Sequence, residues 1–513
     1  MSQTRVSAEL LGLEGVEVDL VEREADGSWT VHVRTAAGQD TCCPDCGRAS
    51  GRVKEPTVHT LQHVALVAMR LTWHKSRFWC ENTDCDKASF AQTGPVAGVR
   101  AGVSAHAKTV MGHLIGDWLA PVSRVAAGVG VAWHTAHDAF VGVAAGARIV
   151  VTDTKTDTAT SVEPGCPHRE TTEDDNTAAA GDPTGVDVDR APASAQAAAR
   201  PSRSVSGILP PVAVLGIDDH RRGKPLYHRD STTGVWVADA DRWQTVFVDS
   251  AGGHGLLGQA EGRAGADAIA WLAAQDPTWR AGVTHVTIDM STVYKSVAAT
   301  SGLLPNATLI VDAFHVIQLA NTMIGDVRRR VTFEHYRRRG RATDPEYTIK
   351  NLLVRGAEKL SDRARNKLLC TLADLGDGGR QIGAAWRAKE LLRAVIALSP
   401  NRTKVATTGH QLRRAFEAFF LFCGTIGATI PEIQTLAQTI SVWRTEIARG
   451  VLTGHSNAAA EGVNRLIKLV YRGAFGFTNV PNQQRRSRYT ASRSTRPEWL
   501  HTATTTLSLP VAT

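Results

Sequence analysis

The chain has 513 residues, 43% hydrophobic and 21% charged, with a formal net charge of +8 and a pI near 9.1. Such values fit an ordinary globular protein of two to four domains, at roughly 100–200 residues each, whose basic surplus suits a polyanionic partner. No basic start precedes an apolar run at the N-terminus and no apolar stretch reaches ~18 residues, so a signal peptide and a membrane span are not expected, and the eight cysteines read as reduced thiols or metal ligands in a cytoplasmic setting.

Residues 1–95 are rich in strand-like runs and hold two cysteine pairs, Cys43-x2-Cys46 in CCPDCG and Cys80-x4-Cys85 in FWCENTDCD. Four thiolates in two tight knuckles meet the tetrahedral demand of a structural Zn2+ and leave no open position for chemistry. A zinc-ribbon domain is therefore expected, with Cys43 rather than Cys42 as ligand because it makes the two-residue spacing; a zinc-dependent hydrolase is disfavoured on the same ground. His59, His63 and His74 lie between the knuckles and read as surface or packing residues.

Residues 96–150 read as a helix-turn-helix DNA-binding domain. In PVSRVAAGVGVAWHTAHDAF, Ala126 permits a close helix crossing and Gly130 eases the turn. The second helix, about 132–140, would enter the major groove with Trp133, His134 and His137 facing it; an ordinary helical hairpin has the same pattern. Residues 151–206 then change character, with ten acidic against five basic side chains, few large apolar residues and no periodicity. They read as a disordered acidic linker with an r.m.s. span on the order of 40 Å, enough to separate the two halves or to let them fold back together.

From 207 to 315, short β-branched runs (VAVLGIDD, QTVFVDS, THVTIDM, ATLIVDAF) alternate with helical stretches, the pattern of an α/β sheet. Four runs end in aspartate: Asp218, Asp249, Asp289 and Asp312. The carboxyl ends of parallel strands are where ligands bind, and carboxylates converging there can hold magnesium. Asp219, next to Asp218, points to the other face by the strand period of two. Residues 316–450 turn helical and charged, and RRRVTFEHYRRRGR concentrates seven arginines, among them Arg328, Arg329, Arg330, Arg337, Arg338 and Arg339, as a DNA-backbone contact or a solvated helix pair. In 451–490 the stretch SNAAAEGVNRLIKLVYRGAFGFTN predicts a helix with Val463, Leu466, Ile467, Val470 and Tyr471 on the core stripe, and with Glu461, Arg465, Lys468 and Arg472 on the opposite side. Alone, Glu461 makes an i, i+4 pair with Arg465 on a solvated face; beside strand-end aspartates it becomes a third metal-binding carboxylate. Residues 491–513 form a C-terminal tail.

The order of cysteine knuckles, helix-turn-helix, GIDD, VTIDMSTVYKSVA, LIVDAFHVIQLANTMIGDVRRR, AWRAKELLR and SNAAAEGVNRLIKLVYRGAFGFTN resembles the ISL-three family of insertion-sequence transposases, over most of the chain outside the linker and the tail. The resemblance implies a multidomain α/β protein with a ribonuclease-H-like catalytic core, interrupted by a helical insertion. It implies a DDE triad of Asp218, Asp289 and Glu461 holding Mg2+ or Mn2+, with Asp312 as the alternative second acid and Asp249 structural. In the implied strand order Asp289 lies beside Asp218's strand, about 4.8 Å away, and Asp312 one strand further. Lys468 and Arg472 would neutralise the attacked phosphate, and Asn457 or Asn464 would orient it. The expected partners are double-stranded DNA (terminal inverted repeats and target) and further copies of the chain in a dimer or higher assembly at the nucleoid, with no membrane; a non-catalytic DNA-binding regulator derived from a transposase is the alternative.

Overall fold

The computed structural model describes residues 8–492, except 38–40, 66, 99, 148, 153–203, 207–208, 224–226 and 239–241. The acidic linker expected over 151–206 and the tail expected from 491 lie almost wholly outside the described residues.

Strands β1 (Val16–Arg23), β2 (Trp29–Thr35), β3 (Val53–Val64), β4 (Ala68–Trp79) and β5 (Ser89–Ala91) make the first sheet, ordered β1-β2-β4-β3 with β5 on β4. Alternation along β4 buries Met69, Leu71 and Trp73 and exposes Arg70 and His74, so one face joins Val31, Val33 and Leu61 in a core. His63 is not at the surface: its ring nitrogens bond Ser104 Oγ at 2.7 Å and the Leu11 carbonyl at 2.9 Å, and burial pushes its pKa down to about 4, which makes it a satisfied, neutral packing residue.

Three helices follow, α1 (Ala105–Gly116), α2 (Val122–Val129) and α3 (Trp133–Gly146). Ser104 caps α1 by accepting the Ala107 N–H. Gly130 ends α2 in the left-handed region at φ 74°, a conformation that glycine adopts without a Cβ penalty, and the chain turns at once into α3. Met111, Ile115, Val125, Val129, Ala136 and Phe140 form the core of the three helices, completed from far along the sequence by Tyr489. Strands β6 (Val150–Thr152) and β7 (Ser204–Ser206) pair antiparallel, so the two ends of the linker are held side by side and the halves fold back together.

The second sheet contains β8 (Val214–Arg221), β11 (Trp243–Asp249), β12 (Leu256–Glu261), β13 (His285–Ile288) and β14 (Thr308–Val311); a small hairpin, β9 (Tyr227–Arg229) with β10 (Trp236–Ala238), leaves it after β8. The order is β12-β11-β8-β13-β14, with β8, β13 and β14 parallel and β11 and β12 antiparallel to their neighbours. Two expectations change here. Because β11 runs antiparallel, Asp249 pairs with Leu215 at the opposite end from Asp218, where it accepts the N–H groups of Ala251 and Gly252 and closes a turn. Strand β8 also continues past Asp218 to Arg221.

The two faces of this sheet have different jobs. Leu215, Ile217, Phe247, Val286 and Ile288 point into the main core, under helices Gly265–Ala273, Thr292–Ala298 and Ala313–Tyr336. On the other face Val246, Val248 and Leu256 receive Ala460, Val463 and Ile467 of the helix Ala458–Gly473. Burying Val463 and Ile467 stabilises that seating by about 1.5–3 kcal/mol each. Between β14 and this helix, from Ala313 to Thr453, the elements are all helical among the described residues. The last described helix, Val480–Ala491, joins the two halves: Tyr489 meets Phe140 edge-on at 5.6 Å, Arg486 donates to the Ala120 carbonyl at 2.9 Å, and Ser492 just beyond it donates to Leu256 at 2.6 Å.

Candidate active site

Parallel pairing of β8 with β13 sets Ile217 opposite Ile288, so Asp218 and Asp289 emerge at the same level on neighbouring strands. Asp218 Oδ1 accepts the Asp219 N–H at 2.7 Å, and Oδ2 accepts Nδ2 of Asn464 at 2.7 Å. Burial, and then the charge of Asp289, push the Asp218 carboxyl up to about 7. Asp289 is also raised by burial, against the opposing pull of His315. The His315 Nδ1 lies 3.0 Å from Asp289 Oδ1 and 3.6 Å from Asp312 Oδ2, and the Asp312 carboxylate, then the other nearby acids, raises its pKa against burial. Asp312 is the N-cap of Ala313–Tyr336, accepting the Phe314 N–H at 3.4 Å. Asp289, Asp312 and His315 can each bring one ligand atom within 4.8 Å of the others. Asp219 turns to the opposite face, where the Tyr294 hydroxyl donates to it at 3.3 Å.

The helix Ala458–Gly473 closes over the two aspartates. Asn457, 2% exposed, donates to the Ile217 carbonyl at 3.3 Å and to Asp289 Oδ1 at 3.5 Å, and its oxygen accepts the Thr287 hydroxyl at 3.0 Å. Gly216 makes room for it, since a Cβ there would lie 2.3 Å from Ser250 Oγ and 2.8 Å from Asn457 Oδ1. Gly216→Ala is expected to displace this buried asparagine and cost about 1–3 kcal/mol, read by urea unfolding; an unchanged midpoint would show that the close approach is not needed.

Glu461 stands four residues after Asn457 and three before Asn464, on the stripe that carries both. Its side chain is 49% exposed and pairs with Arg465 at 3.5 Å, whereas Asp289 is 29% exposed, so Glu461 occupies the rim while the aspartates lie deeper. It opens on a cavity of about 550 Å³ shared with Asp312, Phe314, His455 and Ser456. Further along the helix, exposed Lys468 and Arg472 line a smaller cavity of about 250 Å³ with His220, Arg221, Arg222 and Tyr471. Burial pushes His220 down to about 4, so the charge of this pocket comes from its lysine and arginines.

The other candidate contacts fall elsewhere. Trp133 and His137 stack at 4.8 Å at the start of α3 and line a cavity of about 440 Å³ with Phe477, Asn479 and Asn482. His137 is half-buried there and its pKa is lowered by burial, while His134 is exposed. Of the arginines, Arg330 is held by Glu432 at 2.7 Å and Arg338 by Asp344 at 2.8 Å, so both are neutralised within the fold. Arg329 pairs with Asp326, and Arg328 lies over the Tyr347 ring at 5.6 Å. Arg337 and Arg339 are exposed.

In the N-terminal unit Cys43, Cys46, Cys80 and Cys85 converge, with Cys43–Cys85 at 4.0 Å and Cys46–Cys80 at 3.7 Å. A tetrahedron of sulfurs at the usual Zn–S distance has edges of about 3.8 Å, so the cluster fits zinc. Phe78 and Phe90 stack at 5.9 Å beside buried Cys43 and give the knuckles an apolar floor. Cys42 lies outside the cluster.

Sequence reasoning left His315 without a role and gave Asn457 and Asn464 a phosphate rather than the acids. The signals were present in the spacing: His315 follows Asp312 by three residues at a helix start, and Asn457, Glu461, Asn464 and Lys468 fall at i, i+4, i+7 and i+11.

A family model described as Transposase, of the DDE ISL-three type, matches residues 215–487, more than half of the chain. Among solved structures, the Drosophila P element transposase strand transfer complex matches at 8% identity, over 55% of this chain and 76% of that one; its TM-score of 0.29 carries no argument. No curated protein matches. The span from the first strand of the second sheet to the last described helix thus carries the family's pattern, and the chain belongs to the ISL-three family of transposases.

Proposed function

We propose that the protein cleaves the terminal inverted repeats of its element and joins them to target DNA, by metal-dependent chemistry at Asp218, Asp289 and Glu461. The observation that carries this reading is the parallel register of β8 and β13, which sets two aspartates level under a helix that bonds both through Asn464 and Asn457 and carries Glu461 between them. The sheet order, with an antiparallel arm on one side of β8 and two parallel strands on the other, is that expected of a ribonuclease-H-like core and supports the same reading.

The two aspartates have the donor chemistry for a divalent ion, whereas Glu461 does not belong to a described group whose ligand atoms lie within 4.8 Å of one another and would have to move inward to join them. Asp218 and Asp289 are buried like charges whose carboxyls are both raised despite the nearby His315, and hard oxygen donors suit Mg2+ or Mn2+. When bound, such ions supply Lewis acidity at the attacked phosphate and lower the pKa of the nucleophile. Asp218 and Asp289 would hold them from the sheet and Glu461 from the rim, with Asn457 fixing Asp289. His315 would steady Asp289 from its other side, bridging it to Asp312. Lys468 and Arg472, exposed on that helix, would meet the DNA backbone, and binding should weaken steeply with salt. The exposed start of α3, with His134, would read end DNA, and the cysteine cluster would hold a structural Zn2+. Two ends must meet, so the working form is a dimer or larger assembly on DNA. No described helix is long and apolar enough to cross a membrane.

The test compares wild type with Glu461→Gln on end-sequence DNA with Mg2+. Wild type is expected to cleave, and the variant to cleave on the order of 10³-fold more slowly while binding DNA equally. Equal cleavage by both would remove Glu461 from the site; binding without cleavage by either would favour the regulator.

A further inference from the structure

We propose that Asn464 is itself a metal ligand, its side-chain oxygen completing the shell of the ion held by Asp218. The inference rests on the metal-dependent reading above and adds a fourth residue to it.

Asn464 is 6% exposed, and its Nδ2 is committed to Asp218 Oδ2 at 2.7 Å. Its Oδ1 is buried and has no partner among the described residues. An orphaned oxygen is costly and buried polar groups are nearly always satisfied, so this one calls for an occupant. Asn457, on the same helical stripe, shows the contrast: its oxygen accepts from Thr287 and its nitrogen serves Ile217 and Asp289, which makes it a structural peg.

The free oxygen of Asn464 lies beside a carboxylate, and amide and carboxylate oxygens together are the donor set of hard divalent cations. An amide adds a ligand without adding charge, which suits a place already crowded by Asp218 and Asp289. The helix also holds it rigidly, because Ala460, Val463 and Ile467 seat that helix on the sheet. Asn464 follows Glu461 by three residues, so rim acid and inner amide stand on the same side of the helix.

The rival role is positioning, in which Asn464 only holds Asp218 by its N–H. Two measurements on full-length, zinc-loaded protein separate them: calorimetric Mn2+ binding, and the number of water molecules on bound Eu3+ from luminescence lifetimes in H2O and D2O. Asn464→Leu is expected to weaken Mn2+ binding about tenfold and to add one water to Eu3+. Asn464→Asp keeps an oxygen and is expected to bind Mn2+ at least as tightly as wild type, with the wild-type water count; it carries the test if the leucine variant fails to fold by circular dichroism. A wild-type water count in Asn464→Leu, or weakened Mn2+ binding in Asn464→Asp, overturns the proposal. Mn2+ binding that Asp218→Asn leaves unchanged would instead overturn the acid site, and with it the proposed function.

Discussion

Asp218→Asn is expected to abolish cleavage, by on the order of 10³-fold or more, while making the protein more stable in magnesium-free buffer at pH 8. The two effects share a cause. Asp218 lies in the interior beside Asp289, so its carboxyl is raised from 3.8 to about 7, and at pH 8 the folded state bears a charge that the unfolded chain would solvate better. A folded pKa raised above the unfolded one contributes stability that is complete below pH 3.8 and is lost as pH rises to about 7. Three pH units correspond to about 4 kcal/mol. The gain from asparagine is smaller, about 1–2 kcal/mol, because its amide cannot accept from both Asn464 and the Asp219 N–H. Wild type should therefore lose stability from pH 4 to 7 in zinc-replete, magnesium-free buffer, and the variant should lose less. Added Mg2+ should restore wild type and leave the variant unchanged. Melting curves across that range decide it, and parallel pH profiles for the two proteins would sink the account.

How far the site was legible before the structure follows from what periodicity encodes. A period of two assigns a face, so Asp218 and Asp219 were correctly separated, one toward Asn464 and the other toward Tyr294. It does not encode strand direction: the antiparallel course of β11 sets Asp249 at the opposite end from Asp218, in a turn, in keeping with the structural role that the family resemblance implied for it. Helical spacing placed Val463, Ile467 and Val470 inward, as found. Partners distant in sequence stay hidden: nothing local ties Arg330 to Glu432, 102 residues away, so an ion-paired residue looked like a free cation. The largest blind spot is the helix Val480–Ala491. Its sequence VPNQQRRSRYTA is polar, yet Gln483, Gln484, Arg486, Arg488 and Tyr489 are all buried, because it is clamped between α1, α3 and the second sheet. Gln483 there accepts from Gln244, which accepts from Gln259, a buried amide chain that no hydropathy pattern announces.

Cys46→Ser is expected to collapse the N-terminal unit while leaving the second sheet folded. The four sulfurs tie the loop bearing Cys43 and Cys46 to the chain at and after the end of β4 with Cys80 and Cys85, where the other links are the Trp79 N–H to the Arg52 carbonyl, Ser50 to Glu81, the Lys87–Asp45 ion pair and the packing of Cys43 on Phe78 and Phe90. Structural zinc in small peptides is worth about 10–16 kcal/mol of apparent folding free energy, against about 5–15 kcal/mol for a whole domain, so losing one thiolate removes most of the margin. Cys46 is the best choice because it is exposed, and serine there empties no core space, unlike a change at buried Cys43. Calorimetry should show an early transition lost or shifted far down, elemental analysis should fall from one zinc per chain toward none, and end-DNA binding should drop. Cys42→Ser is the control: Cys42 lies outside the cluster and should keep zinc, melting behaviour and binding. The main core of the second sheet, built from Val212 to Val451, contains no residue of the N-terminal unit, so its transition should persist in the Cys46 variant. A Cys46→Ser protein that keeps one zinc and melts like wild type would show that the four thiols pack together for some other reason.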